Sequence, residues 1–200
     1  VKSDGNMEEM ATEEIAGAIS LHHSEGAVQK EARDILLGAL DLGNREVEEI
    51  MLHRSQIEMI SANSSPSEIF EKCLNSPHTR LPIFEDTPEN VIGVLHAKDV
   101  LRSFKRFGLG QSSSKFNVND IKILDVAMKP YFVPETTTLD QQMKQFLKRK
   151  SHFALVVDEY GALRGLITLE DILEEIVGQI SDEHDVIEQQ VKELNDSSII

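Results

Sequence analysis

One short segment of this sequence carries side chains suited to binding a phosphorylated sugar. Gly165 to Asp171 (GLITLED) places Thr168 and Asp171 three residues apart at the predicted start of a helix. Free N–H groups and the positive dipole end at such a start favour a phosphate, and the Thr hydroxyl adds a donor. An ionised carboxylate is able to accept bonds from two ribose hydroxyls. The same pair also fits a capping box, in which the two side chains only close the helix end.

Glu170, between these two residues, also has two interpretations. It is either an acid of the first helical turn, which interacts favourably with the helix dipole, or a ligand for Mg²⁺ bound to a polyphosphate. The sequence contains no nucleophile elbow, no glycine-rich phosphate loop, no HExxH and no CxxC. We therefore predict no catalytic residues and no enzymatic activity.

The composition limits the partners that this chain is able to bind. Its net charge of −15, from 20 basic and 35 acidic residues, disfavours nucleic acid and anionic membrane surfaces. A bound polyphosphate must therefore meet local basic residues, a helix N-terminus or a divalent cation. The 40% of hydrophobic residues predicts a packed core, and Cys73 is expected to belong to it. No run of eighteen apolar residues predicts a membrane span.

The elements around these residues form a repeat of 72–73 residues. The strand pattern RLPIFED from Arg80 returns as FALVVDE from Phe153, and GVLHAKD from Gly93 returns as GLITLED from Gly165. Each copy is predicted as a strand, a helix, two strands and a final helix. The predicted elements are 57–60, 66–75, 80–84, 91–95 and 97–106 in the first copy, and 131–133, 139–150, 153–157, 163–167 and 169–180 in the second.

The first helix of each copy is predicted to begin with the same cap. Ser65 to Glu68 (SPSE) is a capping box with Pro at the first helical position, and Thr138 to Gln141 (TLDQ) lies 73 residues further on. The apolar faces of these helices correspond: Phe70, Cys73 and Leu74 match Met143, Phe146 and Leu147. Before the repeat, amphipathic segments at 7–21 and 25–42 predict two helices.

A repeated β-α-β-β-α unit whose last helix opens with G-h-h-T-x-x-D resembles the CBS domain, and two such units resemble a CBS pair, or Bateman module. The resemblance covers residues 47–180. It is closer to the CorC/HlyC group of hemolysin-like membrane proteins, related to the animal cyclin M transporters. The segments that carry it are VEEIMLHR (47–54), HTRLPIF (78–84), FALVVDEYG (153–161), GLITLEDILEEIVG (165–178) and QISDEHD (179–185).

The resemblance implies an α/β (α+β) fold of two CBS repeats packed with pseudo-two-fold symmetry and preceded by N-terminal helices. In this group a transmembrane domain precedes the pair and a C-terminal domain often follows. We therefore expect a fragment of a longer protein, lying at the cytoplasmic face of the inner membrane. The expected parts are a helical connector (1–46), CBS domain 1 (47–107), a linker (108–119), CBS domain 2 (120–180), and an acidic connector with the start of a truncated C-terminal domain (181–200).

The resemblance also implies a ligand, ATP or AMP with Mg²⁺, and a regulatory role in divalent cation (Mg/Co) transport. Thr168 and Asp171 match the family's phosphate and ribose positions, and Arg80 matches an arginine that reaches phosphates, although a solvated surface charge is the alternative. His78 and Leu52 match positions near the adenine. The alternative function is a ligand-free dimerisation scaffold of the same membrane protein.

Two further expectations concern the first copy and self-association. His96 and Asp99 lie where the second copy has Thr168 and Asp171, so they form a weaker second candidate site. Apolar positions on the final helices predict an exposed face that joins two chains in a homodimer. These positions are Val100, Leu101 and Phe104 in the first copy, and Ile172, Ile176 and Val177 in the second.

Overall fold

The computed structural model describes residues 3–109 and 123–178 of the 200-residue chain. They divide into two compact units: Arg45–Leu169 forms one, and the described residues on either side of it form the other. The elements are α1 Ser3–Ser24, α2 Lys30–Asp41, α3 Val47–Ile50, β1 Leu52–His53, β2 Ile60–Ser61, α4 Pro66–Asn75, β3 Arg80–Phe84, β4 Val91–His96, α5 Ala97–Leu109, β5 Phe132–Pro134, α6 Leu139–Arg149, β6 Phe153–Val157, β7 Leu163–Thr168 and α7 Leu169–Val177.

The unit outside residues 45–169 consists of helices. Its α2 passes close to α7 at Gly38, where an added Cβ would lie 2.7 Å from the carbonyl oxygen of Glu175 and 2.9 Å from that of Ile176. The missing side chain therefore allows the two helices to touch at their backbones. Among the described residues, no helix combines the length and the apolar character needed to cross a membrane.

The larger unit contains two small sheets with the same internal order. In the first copy β2 runs parallel to β3, and β3 pairs antiparallel with β4. In the second copy β5 runs parallel to β6, and β6 pairs antiparallel with β7. Each hairpin has a register irregularity at the same place, between Ile83 and Phe84 and between Val156 and Val157. These paired irregularities confirm the repeat predicted from the sequence.

The two copies exchange backbone segments at equivalent glycines. The short strand β1 leaves the first copy and pairs with β7 of the second, with Leu52 opposite Leu166. In return, the main chains of Met128 and Val94 exchange two hydrogen bonds of 2.9 and 3.0 Å. The incoming segments cross over Gly165 and Gly93 respectively. Each sheet is therefore extended by the segment that precedes the first strand of the other copy.

Apolar side chains of both copies share one core cluster, as expected for repeats that pack against each other. It comprises Val91, Val94, Phe153, Leu155 and Leu163. A second cluster lies within the first copy and includes Cys73, whose predicted core position is confirmed. The residues of this second cluster are Ile60, Ile69, Cys73, Leu81, Ile83, Leu95 and Val100. Full burial of such side chains stabilises the fold by roughly 1.5–3 kcal/mol each.

The predicted capping box at the first helix is confirmed for one copy only. In α4 the Ser65 N–H donates to the Glu68 carboxylate over 2.7 Å, and the Glu68 N–H donates to the Ser65 hydroxyl over 3.3 Å. At α6 the prediction was wrong, because Thr138 makes no side-chain cap bond. Its hydroxyl donates instead to Asp140, over 2.5 Å, since that carboxylate lies only two residues away.

Several other sequence predictions need correction. The first strand of copy one is Ile60–Ser61 rather than 57–60, because residues 54–56 form a 3-10 turn. Leu74 and Leu147 are 54% and 63% exposed, since the inward faces of their helices centre on the neighbouring residues Cys73 and Phe146. A step of one residue turns the side chain by about 100°.

The extent of the predicted linker and termini also differs from the described structure. Helix α5 continues to Leu109 and so includes the first residues of the predicted linker at 108–119. The remainder of that linker and the predicted segment 181–200 lie outside the described residues.

We expect Gly165→Ala to lower the free energy of unfolding by about 1–3 kcal/mol. The added methyl group would meet the Leu52 carbonyl oxygen and lie 2.8 Å from the sulfur of Met51, so β1 must move away. Gly93→Ala should cost less, because its nearest neighbour is the Ala127 side chain at 3.1 Å. Urea denaturation followed by circular dichroism measures both effects.

Gly17→Ala is the control for this comparison, since nothing lies within 4 Å of the added methyl group in α1. Alanine is also the better helix former, by about 0.5–1 kcal/mol. Equal unfolding midpoints for Gly165→Ala and the unmodified protein would contradict the close strand crossing.

Candidate functional site

The predicted ligand-binding positions lie at equivalent junctions in the two copies. His96 ends β4 and Thr168 ends β7, and each is followed directly by a helix. Asp99 and Asp171 are the third residues of α5 and α7. The expected correspondence of the two aspartates is therefore confirmed.

Cross-strand pairing brings further side chains to these junctions. Arg80 is opposite His96, and Phe153 is opposite Thr168, so each pair shares one face of its sheet. The start of α5 is tied to the segment before β3, because the Ala97 N–H donates to the carbonyl oxygen of residue 79 over 2.9 Å. The Leu169 N–H makes the equivalent bond of 3.2 Å to the carbonyl oxygen of residue 152.

A cleft of about 270 Å³ opens beside the first of these junctions within the unit Arg45–Leu169, and neither Thr168 nor Asp171 lines it. We call it the basic cleft, because its lining includes one arginine, two lysines and two histidines but no acidic residue. Within 3–109 and 123–178, no carboxylate forms an ion pair with Arg80, Lys129 or Lys150. The lining consists of Arg80, Val94, His96, Met128, Lys129, Tyr131, Lys150, Ser151, His152 and Phe153.

His96 caps the helix that follows it. The backbone N–H of Lys98 donates to its Nδ1 over 3.2 Å, so this nitrogen carries no proton and acts as the acceptor. Burial lowers the pKa of His96, and the nearby charge of Arg80 lowers it further, while Asp99 opposes the shift. A neutral imidazole at this place fills the role that a hydroxyl or carboxylate cap has in other helices.

Asp99, the partner of His96 in the predicted second site, is engaged by a neighbouring cation. Its carboxylate accepts a 2.9 Å hydrogen bond from Arg102, three residues later in α5, in an exposed ion pair. Asp171 is partly buried and Glu170 is exposed in the first turn of α7. The two aspartates therefore hold the same position in their helices.

The two residues predicted near an adenine do not line the basic cleft. Leu52 lies on β1, where its backbone pairs with Leu166, and its side chain is half-buried. His78 is exposed, and its backbone N–H donates to the Ser76 hydroxyl over 3.1 Å. The structure thus brings Arg80 and His96 together but leaves these two residues outside that cleft.

Three basic residues of this cleft were not among the predicted site residues: Lys129, Lys150 and His152. A signal was present, because KRKSH at 148–152 is an unusually basic run in an acidic chain. Lys129 gave no such signal, since only the tertiary fold brings it to the same cleft. Among residues 3–109 and 123–178, no group of three or more His, Cys, Asp or Glu side chains is arranged to hold a metal ion.

Comparison with known proteins agrees with the repeat. The sequence model of the CBS domain matches residues 47–106 and 120–178. The magnesium and cobalt efflux protein CorC of Pasteurella multocida (strain Pm70) is 33% identical over 173 residues, 86% of this chain and 54% of its own length. Hemolysin C of Brachyspira hyodysenteriae is 31% identical over 174 residues, 87% of this chain and 60% of its own. The chain thus spans about half the length of the curated relatives it matches.

Solved structures extend this similarity to the fold. The CBS domain of the bacterial CNNM/CorC family Mg²⁺ transporter has a TM-score of 0.73 at 29% identity, covering 85% of this chain and 98% of its own. The same kind of domain in complex with ATP gives 0.64 at 30% identity, with coverages of 74% and 97%. A CBS-domain pair with bound AMP from Klebsiella pneumoniae gives 0.57 at 36%, with coverages of 66% and 98%.

The lowered pKa of His96 predicts a pH dependence of stability. Below about pH 6.5, the ordinary value, the unfolded chain takes up the proton before the folded one does. The stabilisation by neutral His96 is therefore complete above that pH and is lost as the pH falls through the lowered pKa. We expect His96→Asn, which keeps a cap but cannot titrate there, to lose less stability between pH 7.5 and 5.5.

Urea denaturation at the two pH values measures this difference, with Gly17→Ala in α1 as the control. This variant changes no titratable group and nothing lies within 4 Å of the added methyl group, so it should keep the pH dependence of the unmodified protein. An identical loss of stability in His96→Asn and the unmodified protein would rule out His96 as the titrating group.

Proposed function

Because this chain belongs to the CBS domain family, with a tandem pair like those of the CorC/HlyC and CNNM/CorC proteins, we propose that it is a regulatory module that binds an adenosine nucleotide. The observation that carries the proposal is its similarity to CBS domains solved with ATP and with AMP, over 97% and 98% of those chains. A pair of this kind acts by binding and not by catalysis. The role assigned to each residue is an inference from its chemistry and its position.

The proposed ligand contacts combine both copies. Arg80 offers a guanidinium whose planar fork suits phosphate oxygens, and no carboxylate in the described part of the chain forms an ion pair with it. Thr168 ends β7 and offers a hydroxyl to a phosphate beside the start of α7. Asp171 offers its carboxylate to two ribose hydroxyls. The adenine is assigned to the neighbourhood of Leu52 and His78, where a contact by the Leu52 backbone does not depend on its side chain.

We assign Mg²⁺ to the nucleotide and not to a protein site. Hard cations take carboxylate and phosphate oxygens, and Glu170 is exposed in the first turn of α7. A bridging cation also offsets repulsion between a polyphosphate and a chain of net charge −15. The weaker second site assigned to His96 and Asp99 lacks the Thr hydroxyl.

The regulatory mechanism we propose is a shift between two arrangements of the pair. A nucleotide that binds one arrangement more tightly raises its population in proportion to that difference. In the full-length protein, helices α1 and α2 would pass this change to a transmembrane domain that moves divalent cations such as Mg²⁺ or Co²⁺. The module would then lie on the cytoplasmic face of the inner membrane, followed by a C-terminal domain.

We also propose that the pair forms a homodimer, and this is the alternative function if no nucleotide binds. The predicted interface needs revision, because Val100 and Ile172 are 1% and 0% exposed and belong to the interior. Large apolar side chains remain exposed nearby on the same helices. They are Leu101 on α5, at 41%, and Leu173 and Val177 on α7, at 43% and 45%.

For the nucleotide site, we expect Asp171→Ala to weaken ATP binding by about tenfold or more. Losing a hydrogen bond to a charged group costs roughly 1.5–3 kcal/mol, and 1.4 kcal/mol is a factor of ten. Thr168→Ile should weaken binding further, because it removes a donor and adds bulk at the helix start. Isothermal titration calorimetry with ATP measures these affinities.

Asp99→Ala is the matched control, since Asp99 occupies the same helix position in the other copy. It should leave ATP affinity nearly unchanged. Unchanged affinity in both Asp171→Ala and Thr168→Ile would refute the assigned site, and no binding of any adenosine nucleotide would leave the scaffold as the function. Repeating the titrations with Mg²⁺ tests the bridging cation, which should strengthen binding of ATP more than that of AMP.

For self-association, we expect the chain to have the mass of a dimer by light scattering at tens of micromolar. Leu173→Glu should shift it toward the monomer, because a charge would replace an exposed apolar contact on α7. Leu74→Glu, at a position on α4 that is 54% exposed, is the control and should remain dimeric. A monomeric mass with and without nucleotide would exclude the homodimer.

A further inference from the structure

One buried side chain of the second copy has a polar group without a partner. Gln142, on α6, is 0% exposed. Its Oε1 accepts a hydrogen bond of 3.4 Å from the Tyr131 hydroxyl. Among the residues that the structure describes, none offers an acceptor within hydrogen-bond reach of its Nε2. A buried donor of this kind destabilises the fold until a partner accepts its bond. The Gln142 amide therefore has a second bond still to make.

The first copy shows that the fold does not require an amide at this position. Gln142 and Ile69 are the fourth residues of α6 and α4, the equivalent helices of the two repeats. Ile69 is 2% exposed and belongs to the core cluster of the first copy. An apolar side chain thus fills this position without burying an unpaired donor. Packing alone does not explain the glutamine of the second copy.

Gln142 lines a second concave site, a pocket of about 390 Å³ between β5 and α6 that we call the α6 pocket. All of its residues belong to the unit Arg45–Leu169, and none of them lines the basic cleft. Its volume falls within the roughly 300–1,000 Å³ of pockets that hold small molecules. The lining consists of Phe132, Val133, Pro134, Thr137, Gln141, Gln142, Lys144 and Gln145.

The lining of the α6 pocket combines neutral hydrogen-bonding groups with apolar ones. The three glutamines and Thr137 provide donors and acceptors, and Phe132 and Pro134 provide apolar surface. No acidic residue belongs to this lining. Its one cation, Lys144, donates to the Asp140 carboxylate over 2.8 Å, so a carboxylate on the same helix compensates its charge. This combination favours an uncharged ligand that has an acceptor oxygen and an apolar ring.

We propose that the α6 pocket binds a small, uncharged molecule that has a flat ring and an amide-type carbonyl group. The carbonyl oxygen accepts the hydrogen bond that Gln142 Nε2 is able to donate, and the ring packs against Phe132. A few polar groups that fix the orientation of a ligand within an apolar lining are typical of small-molecule sites. This inference does not rest on the proposed nucleotide site, since none of the residues assigned to the nucleotide lines the α6 pocket.

Nicotinamide and β-picoline are the probes for this pocket, because they share a pyridine ring and only nicotinamide has the carbonyl group. In proton–nitrogen correlation NMR spectra, we expect nicotinamide to shift the side-chain amide signals of Gln142. β-Picoline should bind about threefold to tenfold more weakly, since it lacks the acceptor for one hydrogen bond. Gln142→Ile, which introduces the residue of the first copy, and Gln142→Met should each weaken nicotinamide binding by a similar factor, measured on the backbone signals of Phe132 and Thr137.

Lys148→Ala, exposed on α6 and outside the pocket, is the control and should leave nicotinamide affinity unchanged. The melting temperature of Gln142→Ile should equal or exceed that of the unmodified protein, because the unpaired buried donor is gone. Nicotinamide shifts that persist with excess ATP and in Asp171→Ala would support the α6 pocket, whether or not the nucleotide site is correct. Displacement of nicotinamide by ATP, unchanged affinity in both Gln142 variants, equal binding of β-picoline, or no shift at millimolar nicotinamide would overturn the proposal.

Discussion

The exchange of backbone segments between the two repeats is the constraint on which the rest of the larger unit depends. β1 completes the sheet of the second copy, and Met128 bonds to Val94 on the sheet of the first. Because Lys129 directly follows Met128, the same bridge brings Lys129 to the lining of the cleft, which also includes Arg80. The glycines at the crossings keep the segments close, so sheet pairing and the lining of the cleft have a common origin.

The charge that lines the cleft of this unit is opposite in sign to the net charge of the whole chain. A net charge of −15 would repel a polyphosphate, yet the basic cleft gathers its cations from three separate stretches of sequence. His96 contributes no permanent charge there, since its Nδ1 accepts the Lys98 N–H and burial lowers its pKa. Thr168 places a hydroxyl at the end of β7 and His96 places an imidazole at the end of β4, so the two equivalent junctions differ in chemistry.

Much of the fold was predictable because its signals are local and occur twice. The offset of 72–73 residues located the strand pairs and placed Asp99 and Asp171 at the same point of their helices. The two-residue strand β1 was not predictable, since its partner lies in the other copy. The cap predicted at Thr138 was wrong because the Asp140 carboxylate competes for its hydroxyl. The two lysines of the cleft were not predicted, because only tertiary contacts bring Lys129 and Lys150 together.

The pairing of Leu52 with Leu166 also bears on how the protein is made. On the ribosome, β1 emerges more than a hundred residues before the strand that receives it. The first copy can form its own sheet and core cluster early, but β1 cannot pair until β7 has been synthesised. Such distant pairings slow folding, because a long loop has to close before the contact is gained.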